Sequence, residues 1–300
     1  MNPSISELDS IDFDDDDAYA YWRDGKLDDY PESPSGLVVE LADLGKPTEI
    51  EMAAIRQRIG KTNMAFYASR PNQGRRESGV KEQLAALGLC FGLRRLDANL
   101  CADEDAISSL SVAEGGRRGR YIPYTSRPIS WHTDGYYNKL DQQIRGMILH
   151  CLQPAAEGGE NAVMDHEIAY ILMRENNPDM ISALKHPEAM QIPANDEGNG
   201  VIREAQTGPV FSFSDKDGSL HMRYTARTRS IIWRDDGATA AAVAFLSDLL
   251  QSDSRYIFKH RMNAGEGLVC NNVLHNRSGF EDTDDQHRLF FRARYLDRII

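Results

Sequence analysis

His132-Thr133-Asp134 sets an imidazole and a carboxylate two residues apart, and His275 offers a second imidazole far along the chain. Two histidines and one carboxylate on one face of a metal form the ligand set of non-haem iron(II) sites, whose opposite face stays open for co-substrate and oxygen. In extended backbone, side chains at i and i+2 point the same way, so His132 and Asp134 can reach one ion from one strand. Gly135 follows and permits a sharp exit from that strand. One strand cannot surround a metal, so the third ligand must come from elsewhere. His275 suits this role because it ends an apolar run, Leu268-Val269-Cys270-Asn271-Asn272-Val273-Leu274, expected to be a strand.

After His275 an acidic loop, Glu281-Asp282-Thr283-Asp284-Asp285, turns the chain into Arg288-Leu289-Phe290-Phe291-Arg292-Ala293-Arg294-Tyr295. On a strand, Arg288, Phe290, Arg292 and Arg294 share one face, while Leu289, Phe291, Ala293 and Tyr295 share the other. The second face is built to pack. The first carries guanidinium groups that can grip a carboxylate through two parallel hydrogen bonds. A final hairpin is expected to bring this strand back beside His275. 2-Oxoglutarate has such a carboxylate at the end remote from a bound iron. A His-x-Asp triplet alone occurs by chance, and its weight here comes from the distal histidine and the arginine-bearing return strand.

The elements that must position these groups follow from period and punctuation. Leu37–Leu41, 63–68, Gly146–Leu152, 265–274 and 288–296 have strand character. Thr48 with Glu51 three residues on forms a capping box for a helix over 49–59. Further helices are expected over 81–87, 165–175 and 238–250. Asp215-Lys216-Asp217-Gly218 marks a hairpin turn between 210–213 and 220–224. The Gly115–Arg120 segment lacks the spacing of a phosphate-binding loop.

Bulk properties exclude several classes. The 300 residues carry 41% hydrophobic and 27% charged residues, as a soluble globular chain does. The formal net charge of −12 argues against nucleic acid as a partner, yet leaves room for a local basic pocket that takes a small acid. No apolar run spans a bilayer, no signal peptide is evident, and a cytoplasmic location without a membrane partner is expected. Cys90, Cys101, Cys151 and Cys270 lack the spacing of a zinc site or disulfide framework, and no H-E-x-x-H helix motif of a zinc hydrolase is present. Residues 1–36, including the run Asp14–Asp17, form an acidic arm in which Tyr19, Tyr21 and Trp22 could dock. Residues 37–300 are expected to form a single domain.

Trp131-His132-Thr133-Asp134-Gly135 and Asn272-Val273-Leu274-His275, followed by Arg288-Leu289-Phe290-Phe291-Arg292-Ala293, resemble the taurine dioxygenase-like (TauD/TfdA) family of iron(II)/2-oxoglutarate-dependent oxygenases. The resemblance covers roughly residues 120–296. It implies an α+β fold with a double-stranded β-helix (a cupin-like jelly roll) and helices packed outside. It implies that iron(II) is held by His132, Asp134 and His275, with 2-oxoglutarate and O2 as co-substrates. A C–H bond of a small molecule would be hydroxylated or otherwise oxidised while 2-oxoglutarate is converted to succinate and CO2. Asp134 at the position of the metal carboxylate favours hydroxylation over halogenation. Arg292 would bind the remote carboxylate of 2-oxoglutarate, and Arg288 competes for that role. Where many members carry Gly-Gly-Asp-Thr, this chain has Gly158-Gly159-Glu160-Asn161, so Asn161 would replace the threonine that touches 2-oxoglutarate. Tyr136, Tyr137, Asn138 and Arg223 are candidate substrate contacts, and a homo-oligomer is compatible with the family. The competing readings are a cupin-like metal oxygenase that uses no 2-oxoglutarate and a non-catalytic jelly-roll binding protein.

Overall fold

Alternation along Leu289–Tyr295 decides how the centre of the molecule is layered. Phe291, Ala293 and Tyr295 are buried with Ile148 against Ile55, Ile59, Val80, Leu84 and Leu87 of two helices, Glu49–Thr62 and Glu77–Cys90. The intervening arginines face the other way. The architecture comes from a computed structural model that describes residues 13, 15–71, 76–98, 102–196, 201–227 and 231–300. Residues 1–12, Asp14 and Cys101 of the sequence reading lie outside the described residues.

The chain divides into two compact units. The larger comprises 31–165, 225–227 and 253–300. It contains a six-stranded sheet in the order Val38–Leu41, Met64–Ser69, Glu266–Cys270, Gly146–Gln153, Leu289–Tyr295 and Ser108–Leu110. A four-stranded sheet runs in the order Phe258–His260, Asn161–Met164, Leu274–Arg277 and Ile129–His132. These two sheets, with helices outside, are the α+β double-stranded β-helix expected from the sequence. The capping box at Thr48 and Glu51 is formed, with both reciprocal bonds present.

Two expectations about the C-terminal strands require correction. Residues 265–274 do not form one continuous strand. Glu266–Cys270 lies in the six-stranded sheet and Leu274–Arg277 in the four-stranded one. Asn272 has φ +52°, a left-handed conformation that breaks the strand between the two sheets. Nor do 265–274 and the return strand form a hairpin. Leu289–Tyr295 and Glu266–Cys270 both pair antiparallel with Gly146–Gln153, one on each side of it.

The smaller unit comprises 1–30, 166–224 and 228–252. Its helices are Asp16–Leu27, His166–Asn176, Pro178–Lys185 and Gly237–Gln251. The stretch read as an acidic arm holds the first of these. Trp22 packs edge-on against Phe13 and Tyr170, and Tyr19 Oη donates to Glu175 at 2.9 Å, whereas Tyr21 stays exposed. The hairpin expected around Asp215–Gly218 forms between Phe211–Phe213 and Leu220–Met222. Among the described residues no helix is long and apolar enough to cross a membrane.

Candidate metal centre and co-substrate pocket

Sheet register brings the two histidines together. His275 is the antiparallel partner of His132 on the neighbouring strand, and opposed residues project to the same face. Their rings lie 4.2 Å apart, centroid to centroid. Potential ligand atoms of His132, Asp134 and His275 all lie within 4.8 Å of one another, the spacing of donors around a single ion. Gly135 makes the exit that places Asp134. It has φ +66°, and a Cβ there would meet Ile144 Cγ1 at 2.4 Å.

The donors are prepared for a cation. His132 Nδ1 donates to the carbonyl of Ser130 and His275 Nδ1 to that of Val273, each at 2.9 Å. A carbonyl can only accept, so both protons sit on Nδ1 and both Nε2 lone pairs are left for a metal. Burial, and then the neighbouring His275, lower the His132 imidazole to about 3. Burial also lowers His275. Both rings are therefore neutral at physiological pH. Burial would raise the Asp134 carboxyl, but Arg292 and Arg294, followed by the two imidazoles, outweigh it and hold the group well below the usual carboxylate range. Asp134 Oδ2 is buried with no hydrogen-bond partner among the described residues. Two neutral imidazoles and an ionised carboxylate, one of whose oxygens is buried without a partner among the described residues, fit an iron(II) ion.

Asn272 ties the segment before His275 to Asp134. Its Oδ1 accepts from Asp134 N at 2.8 Å, and its Nδ2 donates to the carbonyls of Asp134 (3.0 Å) and Ile144 (2.6 Å). In the sequence Asn272 stands out only as the first residue of the Asn272–His275 motif. Its left-handed φ and short amide side chain turn the chain three residues before His275 while clamping Asp134 by the backbone.

A cavity beside the triad is lined by His132, His275, Asn161, Arg277, Arg288 and Arg292, with Leu110, Pro123, Ile129, Met147 and Leu149 among its apolar walls. Three arginines thus line one cavity in a chain of net charge −12. Their environments differ. Arg292 Nη1 donates to Asp134 Oδ1 at 3.0 Å, so this guanidinium lies against that carboxylate. Arg277 donates to the carbonyls of Thr125 and Arg127. The Arg288 guanidinium is buried and stacked on Phe290, 3.9 Å from the ring centroid, and its Nε is buried without a hydrogen-bond partner among the described residues. Burial pushes Arg288 down to about 10, and burial with the nearby Arg288 pushes Arg277 down to about 9. Arg277 was not singled out from the sequence, although its place two residues after His275 on the same strand was the available signal.

Asn161 Nδ2 donates to the carbonyl of Asn276 at 3.1 Å, and its Oδ1 is buried without a partner among the described residues. Tyr136 is buried with its ring edge-on to His132, centroids 6.4 Å apart, and its hydroxyl is 3.4 Å from Arg227 Nη1. Tyr137 accepts from Arg294 at 2.9 Å. Asn138 donates to the Gln142 carbonyl at 3.0 Å and closes the loop after the metal motif. Arg223 belongs to the smaller unit, where it is buried and donates to the carbonyls of Met190 (2.7 Å) and Gly208 (3.2 Å).

The chain is similar to several known proteins. The model of the family described as taurine catabolism dioxygenase TauD, TfdA family, matches residues 78–294. A uridine-5'-phosphate dioxygenase from Streptomyces sp is 25% identical, over 72% of this chain and 79% of its own. The gamma-butyrobetaine dioxygenase of Homo sapiens is 24% identical over 53% of this chain, and the match spans only 42% of that enzyme. The solved structure of the non-heme iron oxygenase OrfP in complex with Fe, succinate and (3R,4R)-dihydroxy-L-Arg superposes with a TM-score of 0.61 at 14% identity. That superposition covers 84% of this chain and 82% of the other. With a family match across most of its length, the chain belongs to the TauD/TfdA family and is an iron(II)- and 2-oxoglutarate-dependent dioxygenase.

Proposed function

We propose that His132, Asp134 and His275 hold the iron(II) and that Arg288, rather than Arg292, anchors the remote carboxylate of 2-oxoglutarate. The observation that carries this is the difference between the two guanidiniums. Arg292 already has a carboxylate, Asp134, at 3.0 Å. Arg288 is buried and walled by aromatic rings, its Nε has no partner among the described residues, and the nearby Asp282 carboxylate is bonded to its backbone N–H rather than paired with its guanidinium. A desolvated guanidinium is costly until an anion reaches it. Asn161, which lines the same cavity, is the candidate donor for a further hydrogen bond to that carboxylate.

Iron(II) with 2-oxoglutarate bound supplies oxygen activation coupled to decarboxylation of the co-substrate to succinate and CO2. The chain's own part is placement and exclusion of water. The backbone bonds of His132 and His275 orient the two donor nitrogens. Asn272 fixes the Asp134 backbone. Arg288 sets the reach of the co-substrate from the metal. Apolar walls at Leu110, Ile129, Met147 and Leu149 keep that charge pair in a low-dielectric setting, where it is stronger than in water.

The substrate is a small molecule bearing an anionic group, and Arg292, whose Nη1 lies 3.0 Å from Asp134 and whose Nε lacks a partner among the described residues, is the group that receives it. The relatives support this class. Uridine-5'-phosphate and gamma-butyrobetaine, named for two of them, each carry an anionic group. Tyr136, edge-on to His132, is the candidate for contact near the reacting carbon.

The roles are tested by anaerobic calorimetric titration of 2-oxoglutarate into the iron(II)-loaded protein. Arg288→Ala should weaken binding by about 100-fold, as truncating one partner of a buried charge pair does. Arg292→Ala should weaken it far less. The reverse ranking would return the anchoring role to Arg292, and no binding to the wild-type protein would favour an oxygenase that uses no 2-oxoglutarate.

A further inference from the structure

Arg294 lies two residues beyond Arg292 on the same face of the return strand, and its side chain is only 2% exposed. It is shared between two carboxylates. Its Nη2 is paired closely with Asp97. Its Nη1 donates to Tyr137 Oη at 2.9 Å and stands 3.7 Å from Asp134 Oδ1. That last separation exceeds hydrogen-bonding distance. Asp97 is itself built in. Its N–H donates to the Arg294 carbonyl at 2.8 Å, and the neighbouring Leu96 bridges Tyr295. Asn138 Nδ2 approaches its other oxygen at 3.5 Å.

A buried guanidinium seeks the anion that satisfies it best. Asp134 is the nearest alternative to Asp97, and it already accepts one bond from Arg292. A second guanidinium bond on Asp134 would engage lone pairs that a metal needs, since arginine forks pair readily with both oxygens of a carboxylate. We propose that Asp97 is a positioning residue for the metal centre: with Tyr137 it holds Arg294 short of a direct bond to Asp134 and so keeps the Asp134 carboxylate available to the ion. Neither Asp97 nor Arg294 is placed among the metal ligands. Both act through Asp134, and the inference rests on the reading of His132, Asp134 and His275 as the iron site.

The test is anaerobic titration of iron(II) into the metal-free full chain, with folding followed in parallel by circular dichroism. It compares the wild type with Asp97→Asn, Arg294→Met and the double variant. Asp97→Asn frees Arg294 toward Asp134 and should weaken iron binding about 10-fold or more, the scale seen when partners of metal ligands are lost. The double variant, which also removes the released cation, should recover most of that loss. A structural ion pair would change stability in both single variants and leave iron affinity alone. Asp97→Asn with wild-type affinity, or a double variant as weak as Asp97→Asn, overturns the proposal. Should Asp97→Asn fail to fold, Tyr137→Phe removes only one tether. It should weaken iron binding by a smaller factor, and unchanged affinity there overturns the proposal equally. A wild-type chain that binds no iron overturns the metal site itself, an outcome distinct from any ranking of the variants.

Discussion

The two ends of the site are organised in opposite ways. At the metal end, backbone and side chains are tied before any ligand arrives. Both Nδ1 atoms are committed to carbonyls, and Asn272 holds Asp134 from both sides of its peptide. At the arginine end, three buried or half-buried guanidiniums are gathered, and among the described residues only Arg292 is paired with a carboxylate, Asp134, at 3.0 Å. Arg277, Arg288 and Arg292 line one cavity, and the Nε atoms of all three are buried without acceptors among the described residues. The difference follows from what each end must receive. A cation needs neutral and anionic donors aimed at one point. A dicarboxylate needs a positively charged, dry socket whose charges are balanced only when it is filled.

This contrast can be broken most severely at the carboxylate that joins the two ends. Asp134→Ala should abolish stoichiometric iron(II) binding. It should also cost about 3–5 kcal/mol of folding stability, because Arg292 and Arg294 would face a buried gap in place of an anion. Calorimetry and urea unfolding would check both effects, and a variant of wild-type stability would show that the arginines do not depend on Asp134.

Acid provides a second probe. In the metal-free protein, burial lowers His150 to about 4 and His132 to about 3, and it lowers His275 as well. The unfolded chain takes up these protons near the ordinary histidine value of about 6.5. Below that pH the unfolded state binds more protons than the folded one, so stability is full above about 6.5 and is lost as pH falls toward 4 and 3. Each of these histidines contributes up to about 1.4 kcal/mol per pH unit within the window. Urea midpoints of chelator-treated protein at pH 7, 6 and 5 should fall progressively, and saturating iron(II) should raise every midpoint with little change in slope, because the folded rings are already unprotonated there. A flat profile would mean that these rings accept protons in place.

The smallest of these effects is expected at Asn272. Asn272→Ala keeps every ligand but removes the clamp on Asp134, and it should weaken iron(II) binding about 10-fold. Unchanged affinity would show that Gly135 and the sheet register suffice to place the carboxylate.

How much of this was legible beforehand depends on the range of the interactions. The His132/Asp134 pair follows from strand period, and the packing face of Phe291, Ala293 and Tyr295 from alternation, both local rules. The partnership of His275 with His132 needed the distal histidine to be recognised as strand-borne. The expected strand over 265–274 hid a break, because Asn272 adopts φ +52° for a reason set by Asp134, which is distant in sequence. Arg288 and Arg292 are indistinguishable on a strand diagram. What separates them is the Asp134 carboxylate beside one and the aromatic wall beside the other. Tyr137 and Asn138 looked like pocket residues because they follow the metal motif, yet their bonds reach Arg294 and the loop carbonyl of Gln142. Arg223 sits among backbone carbonyls of the smaller unit, a setting that no local pattern reveals.

The proposed function rests on anchoring of the carboxylate remote from the iron by Arg288. Its most direct test is an anaerobic comparison of 2-oxoglutarate with 2-oxobutyrate, which keeps the metal-chelating end and lacks the remote carboxylate, on the iron(II)-loaded wild type and Arg288→Ala. The wild type should prefer 2-oxoglutarate by about 100-fold, and Arg288→Ala should lose most of that preference. An Arg288→Ala protein that still discriminates as strongly as the wild type would contradict that anchoring role.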